Sequence, residues 1–155
     1  MKNPILEFEG EYRFLSNFFP SSFTVGPPPG SPGRIWTFGT VEHYYQASKT
    51  TDPEWFQKIA WAETAGKAKK LGRQCPTREN WEALKDSFMM QGLKYKFQQN
   101  KDLLKKLKET GTSLLVEGNR WGDSYWGFDI NKGYGQNRLG QMLMIIRLTN
   151  GNPQI

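Results

Sequence analysis

One cysteine and one histidine are all this chain offers of the side chains most often used to bind zinc. Cys75 alone can form neither an internal disulfide nor a cysteine-based zinc knuckle, and His43 alone does not complete any other familiar ligand set, so no metal is expected. A cysteine nucleophile would want a histidine partner. Cys75 in GRQCP has no second histidine to turn to and His43 begins a different segment, so the thiol reads as structural and buried. No apolar run approaches the length of a bilayer span, and the amino-terminal MKNPILEFEGEYR lacks the basic-then-apolar layout of a secretory signal. There is neither a Walker loop nor a dinucleotide fingerprint. These absences predict a cytoplasmic protein without cofactor or membrane association.

What is present suits one domain. The 155 residues are enough to enclose a core and a small-molecule cleft, and too few for two full domains. The net charge of +6 favours phosphate-bearing partners without requiring them. Much of the excess sits in KAKKLGR and KDLLKKLK, where lysines recur at helical spacing opposite leucines or alanines, as on a solvated helix face.

The first forty residues read as short extended pieces, ILEF, SSFTV and RIWTF, broken by turns and by GPPPGSPG at 26–33, a hairpin tip whose prolines cannot sit in a ladder. From Thr40 the period becomes helical. Thr40 caps a helix running to about Lys49, Asp52 followed by Pro53 starts the next, and Thr64 opens a short one through Leu71. Thr77 opens a long helix in which Trp81, Leu84, Phe88, Leu93, Tyr95 and Phe97 return at three- and four-residue intervals. Asn100 to Thr110 forms another, closed by Gly111. Residues 113–128 return to strand and turn chemistry, and Asn137 to about Leu148 makes a last helix with Leu139, Met142, Leu143 and Ile146 inward. The tail 149–155 should fray. The expected architecture is a helix-rich α+β single domain over residues 1–155, with small extended elements from the N- and C-terminal regions that meet.

Three constellations could carry chemistry. In VEHYYQASK, residues 41–49, Glu42, Gln46 and Lys49 fall within an arc of about 60° at helical pitch, so one face presents acid, amide and amine between tyrosines. That stripe suits a cleft wall, and equally a surface stripe with a Glu-to-Lys contact. His43, one step off it, reads as a hydrogen-bonded structural residue. In EGNRWGDSYWGFD, residues 117–129, Trp121 and Trp126 offer stacking surfaces or core packing, and Asp123 could face a developing cation. In NKGYGQNRLGQMLMIIR, residues 131–147, Gly133, Gly135 and Asn137 lie where backbone amides at a helix start could cradle a phosphate, with Lys132 or Arg138 adding charge. FLSNFFP, residues 14–20, adds Asn17 between aromatics as a ribose or base reader.

In this order, EYRFLSNFFP, VEHYYQASK, AKKLGR, the Trp81 helix ending in KYKF, LLVEGNRWGDSYWG and GYGQNRLGQMLMIIR resemble the NADAR or YbiA-like family over nearly the whole chain. The resemblance implies an N-glycosidase without cofactor or metal. Its implied substrates are ADP-ribose attached to guanine in nucleic acid, or phosphoribosylamino-pyrimidines from early riboflavin synthesis. Glu42 and Lys49 match the polar positions of the family's EHxxQxxK helix, and Asp123 the acid before its aromatic-Trp-Gly; these three are the implied catalytic residues. Asn17 matches the SNF asparagine, and Gly135, Asn137 and Gly140 match the GxNxLG turn and helix start. Arg13, Asn17, Phe18, Gln46, Trp126, Gly133, Gly135 and Asn137 are the expected substrate-binding residues. Where some relatives place an acid after the Trp-Gly pair, this chain has Phe128 and then Asp129.

Cleaving a ribosyl C–N bond passes through an oxocarbenium-like state that a carboxylate stabilises. Glu42 would handle water or the leaving base, Asp123 the cation, and Lys49 the opened sugar through an imine. The similarity of GEYRFLSNF and EGNRWGDSYWG to the ADP-ribose branch, with the basic balance, puts that substrate first and nucleic acid as its carrier. A non-catalytic ADP-ribose or nucleic-acid binding module is the reading from a different class.

Overall fold

Helix starts in the first half of the chain are set by side chains that accept otherwise orphaned backbone amides. In the computed structural model, which describes residues 2–27, 29–30 and 32–151, Thr40 Oγ1 accepts from the His43 amide and opens α1, Val41–Ser48. Asp52 Oδ1 accepts from the Glu54 and Trp55 amides and, with Pro53 in the first turn, opens α2, Pro53–Ala60. Thr64 Oγ1 accepts from the Lys67 amide and opens α3, Ala65–Gly72. The next start departs from expectation. The helix placed after Thr77 begins at Trp81, as α4, Trp81–Gln99, because Asn80 takes left-handed backbone angles that interrupt any earlier turn. Leu84 is exposed although its spacing pointed inward. The first turn of α4 is anchored through Trp81, which meets Tyr45 and Phe88, and the deeper contacts belong to Met89, Leu93 and Phe97 further along.

The chain divides into two compact units, residues 17–100 and residues 1–16 with 101–155. In the 17–100 unit, β1, Phe23–Val25, pairs antiparallel with β2, Trp36–Phe38, placing Phe23 opposite Phe38. The glycine- and proline-rich segment is the connection of this hairpin, as expected; Pro28 and Ser31 within it lie outside the described residues. Rings of Phe23, Phe38, Tyr44 and Tyr95 pack at centroid separations of 5.3–6.0 Å. α2, α3 and α4 all pack on α1, so every one of its eight residues is buried.

In the other unit the extended segments from the two ends of the sequence do meet: the Ile5 amide donates to the Leu114 carbonyl and the Val116 amide to the Ile5 carbonyl, each at 2.8 Å. Gly10–Leu15 forms a short 3-10 helix where only extended pieces and turns were expected. α5, Lys101–Glu109, ends at Gly111, whose φ of +63° is the left-handed stop the sequence predicts. β3, Gly118–Asn119, lies parallel to β4, Phe128–Asp129, and α6, Arg138–Leu148, buries Leu139, Leu143 and Ile146. Thr149–Gly151 close that helix, with the Gly151 amide donating to the Ile146 carbonyl at 2.9 Å; residues 152–155 of the expected loose tail lie outside the described residues. The architecture is α+β and helix-rich. No helix among the described residues is long and apolar enough to cross a membrane.

Candidate active site

A helix buried on every side is normally apolar on every side, and α1 is not. Its sequence carries a carboxylate, an imidazole, an amide and a hydroxyl into the interior, each of which costs free energy unless a partner meets it. His43 and Ser48 are met by the fold itself. The His43 ring spans the Thr40 hydroxyl at 2.8 Å and the Ala62 carbonyl at 2.9 Å, and Ser48 Oγ donates to the Tyr44 carbonyl. Since the Ala62 carbonyl can only accept, Nε2 carries the proton and Nδ1 receives the Thr40 hydroxyl. His43 is therefore structural, as its position off the stripe predicts.

Glu42 and Gln46 are buried too, 7% and 4% exposed, which overturns the alternative of a solvated surface stripe. Gln46 Nε2 donates to Glu42 Oε1 at 2.7 Å, and the Glu42 amide donates to the Asn17 carbonyl at 3.2 Å. Asn17 Nδ2 points at Met89 Sδ, a weak acceptor. Among the described residues, Gln46 Oε1 and Asn17 Oδ1 are buried without a hydrogen-bond donor. Each is a buried acceptor that costs free energy unless a donor meets it. The Gln46 amide oxygen faces Gly72: a Cβ there would overlap that oxygen and lie 2.8 Å from Cδ and 3.1 Å from Cβ of Gln46. Only glycine lets α3 approach so near.

Lys49 caps α1 and is half-buried, its Nζ 5.7 Å from the Tyr45 ring centroid. Burial pushes its pKa below the usual 10.5; Glu42 and Cys75 oppose the shift, and the positive charges of Arg73 and Lys69 add to it. A lysine with a raised neutral fraction can act as a nucleophile. Cys75 is buried, its thiol donates to the Gly72 carbonyl at 3.4 Å, and burial raises its pKa against the pull of Lys49. It is the inert structural thiol expected.

The remaining expected residues meet this cluster unevenly. Phe18, next to Asn17, is 38% exposed and lies 5.8 Å below Lys69 Nζ. Arg13 is exposed in the 3-10 helix of the other unit. In that unit Asp123 closes a turn: its Oδ1 accepts from the Tyr125 and Trp126 amides, and its own amide donates to Asn119 Oδ1. Asp129 does the same for Asn131 and Lys132. Trp126 is half-buried, edge-on to Tyr125, while Trp121 is 67% exposed and so is not the core residue that a packing role would require.

The phosphate cradle expected at Gly133, Gly135 and Asn137 needs correction. The Gln136, Asn137, Arg138 and Leu139 amides donate to the carbonyls of Ser124, Gly127, Tyr125 and Trp126, and the Lys132 and Gly133 amides to Asp129. These amides serve the fold rather than an anion. Asn137 makes no cap bond; its side chain receives the Glu117 amide and donates to the Leu115 carbonyl. A Cβ at Gly135 would run into the Gly127 carbonyl, so that glycine permits backbone packing. Among the described residues no group of three or more His, Cys, Asp or Glu is placed to hold a metal ion.

A helix-rich α+β protein that buries a carboxylate and an amide on one helix, with a partly desolvated amine at its end, holds groups able to serve acid–base and nucleophilic chemistry. The NADAR domain model matches residues 7–149, a span that runs across both units, and the chain belongs to that family. It is 35% identical over 152 residues to the N-glycosidase YbiA of Escherichia coli, covering 95% of this chain and 89% of that protein. The solved NMR structure of the E. coli protein YbiA superposes with a TM-score of 0.81 at 34% identity, covering 97% of this chain and 86% of that one. The riboflavin biosynthesis protein VVA0006 of Vibrio vulnificus is 36% identical over 151 residues, which are 95% of this chain and 38% of that larger protein.

Proposed function

We propose that the chain, an N-glycosidase by its family, hydrolyses the C–N bond between a phosphorylated ribose and a base, with Glu42 and Lys49 as catalytic residues. The observation that carries this reading is the wholly buried α1, which holds Glu42 against Gln46 and sets Lys49 at its end in surroundings that favour the neutral amine. The Lys49 amine bonds to the anomeric carbon as the bond to the base breaks, and the base leaves with a proton delivered by Glu42; the ring C–O bond of the resulting glycosylamine then opens, its oxygen taking a proton from the lysine nitrogen as the imine forms, and water directed by the Glu42 carboxylate hydrolyses that imine and regenerates the lysine. Asn17 Oδ1 accepts from a sugar hydroxyl, and Gln46, its Oε1 seated against Gly72, holds Glu42 in place.

ADP-ribose on guanine in nucleic acid is the leading substrate, since the net charge of +6 suits an anionic carrier. The phosphoribosylamino-pyrimidines are the second reading, favoured by the name of the Vibrio relative. Incubation with each class, followed by mass spectrometry, separates them: release of unmodified guanine-containing DNA marks the first, free ribose 5-phosphate the second. Turnover of neither by the wild-type protein, against tight binding of both, would replace the enzyme with a binding module.

A further inference from the structure

The AKKLGR segment, residues 68–73, has no part in the chemistry above, and its position gives it one. α3 packs on α1 with Gly72 pressed against the Gln46 side chain, so the residues flanking Gly72 on that face stand beside the cluster of Glu42, Gln46 and Lys49. Lys69 lies three residues before Gly72 and Arg73 directly follows it. Lys69 is half-buried with its Nζ 5.8 Å from the Phe18 ring, whereas Lys67 and Lys70 on the same helix, and Arg73 at its end, are exposed. Phe18 adjoins Asn17, whose carbonyl receives the Glu42 amide, so Lys69 and the orphaned Asn17 Oδ1 border the same region.

Lys69 and Arg73 also stand one helical turn apart as like charges, an arrangement that disfavours the helix unless an anion joins them. Among the described residues neither forms an ion pair, unlike Lys85 with Glu82 and Arg120 with Glu7. Cations near a helix C-terminus have an ordinary explanation in the helix dipole, and the exposed Lys70 fits it. The dipole does not explain why Lys69 turns inward towards Phe18, nor why two unpaired cations lie close enough to Lys49 to disfavour its charge.

We infer that Lys69 and Arg73 form the phosphate subsite of the ribosyl substrate, gripping the 5′-phosphate while Asn17 accepts from the sugar. The inference rests on the reading that the substrate is a phosphorylated ribose, and it replaces the helix α6 amides as the anion site. A bound dianion there would offset the repulsion among Lys49, Lys69 and Arg73, so loading of the phosphate and the state of the Lys49 amine are coupled.

Titration of ribose 5-phosphate into the full-length protein, followed by calorimetry and 31P NMR, tests this without relying on turnover. The wild-type protein and a Lys67→Ala/Lys70→Ala control should bind alike, while Lys69→Ala/Arg73→Ala should bind about 10- to 100-fold more weakly, with unchanged thermal unfolding and with partial rescue by Lys69→Arg. On a cleavable N-riboside the same double variant should lose kcat/KM only for the phosphorylated form and match wild type on the dephosphorylated one. Equal binding by wild type and the Lys69/Arg73 variant, equal loss in the Lys67/Lys70 control, or no binding by wild type would overturn the subsite. If ribose 5-phosphate binds through Lys69 and Arg73 but no N-riboside is cleaved, the subsite stands and the enzymatic reading falls. If cleavage is robust and indifferent to both substitutions, the reverse holds.

Discussion

At the scale of single residues, the account turns on how burial changes what Lys49 and Tyr44 can do. A Lys49 pKa held below 10.5 by burial means that the neutral amine gains population as pH rises through that lowered value. If the amine is the nucleophile, kcat should climb along an alkaline limb located below pH 10.5, and reductive trapping with borohydride during turnover should attach substrate mass to the peptide carrying Lys49. A limb unchanged in Lys49→Arg, or label on another lysine, would remove the amine from the mechanism. Tyr44 shifts the other way, up to about 12 from 10.0, chiefly through burial and then through Tyr95. Its folded pKa lies above the unfolded one, so its contribution to stability is complete below pH 10 and is lost as pH rises from 10 to about 12. That contribution is roughly 2–3 kcal/mol from a shift of this size. Tyr44→Phe should therefore show a shallower loss of stability over that window in chemical denaturation at fixed pH; an identical slope would mean the phenol is not the group responsible.

At the scale of elements, the legible parts of the sequence were those whose cause is local. Thr40, Asp52, Pro53 and Thr64 mark helix starts through their own backbone contacts, and Gly111 marks a stop, so α1, α2, α3 and α5 could be placed from the sequence. Asn80 could not be foreseen as the start of α4 because its left-handed angles replace a side-chain cap, and Thr77 three residues earlier carries the stronger local signal. The glycines of residues 131–147 resembled an anion loop for the same reason: sequence shows that an amide is at a helix start, and only tertiary structure shows that the 124–127 carbonyls have already taken it. Of the candidate site, spacing placed Glu42, Gln46 and Lys49 on one face, and only the family resemblance chose a cleft over a surface stripe. The proposed contribution of α3 was not readable, since the seating of Gly72 against Gln46 and the half-burial of Lys69 beside Phe18 are tertiary contacts. Two element-level predictions follow from such contacts. Gly72→Ala must displace Gln46 and should cost about 1–3 kcal/mol in urea unfolding, while raising KM through the disturbed Glu42 partner. In the other unit Arg147 ties α6 to the exit of α5, donating to Thr110 Oγ1 at 2.8 Å and the Ser113 carbonyl at 2.9 Å. Arg147→Ala should cost about 1–3 kcal/mol by leaving both acceptors short of a donor, without altering KM; a stability within error of wild type would show the tie to be idle.

At the scale of the whole molecule, composition excluded more than it assigned. A lone cysteine and a lone histidine argued against the familiar zinc sites and a cysteine–histidine nucleophile, and a modest positive charge favoured phosphate-bearing partners without requiring them, but none of these chose a reaction. Collinear motifs across nearly the entire chain supplied the family, and the match over residues 7–149 bears that out. If nucleic acid carries the substrate, kcat/KM on an ADP-ribosylated oligonucleotide should fall much more steeply with salt than on a free phosphoribosyl compound, because each phosphate contact releases counterions; parallel salt slopes would favour the small-molecule substrate. The most direct measurement is the single-turnover rate of C–N cleavage by Glu42→Gln, on whichever phosphorylated N-riboside the wild-type protein cleaves, with matched unfolding temperatures for the two proteins. The account predicts a fall of about 100-fold or more at nearly unchanged substrate affinity, whereas a rate equal to wild type would contradict it.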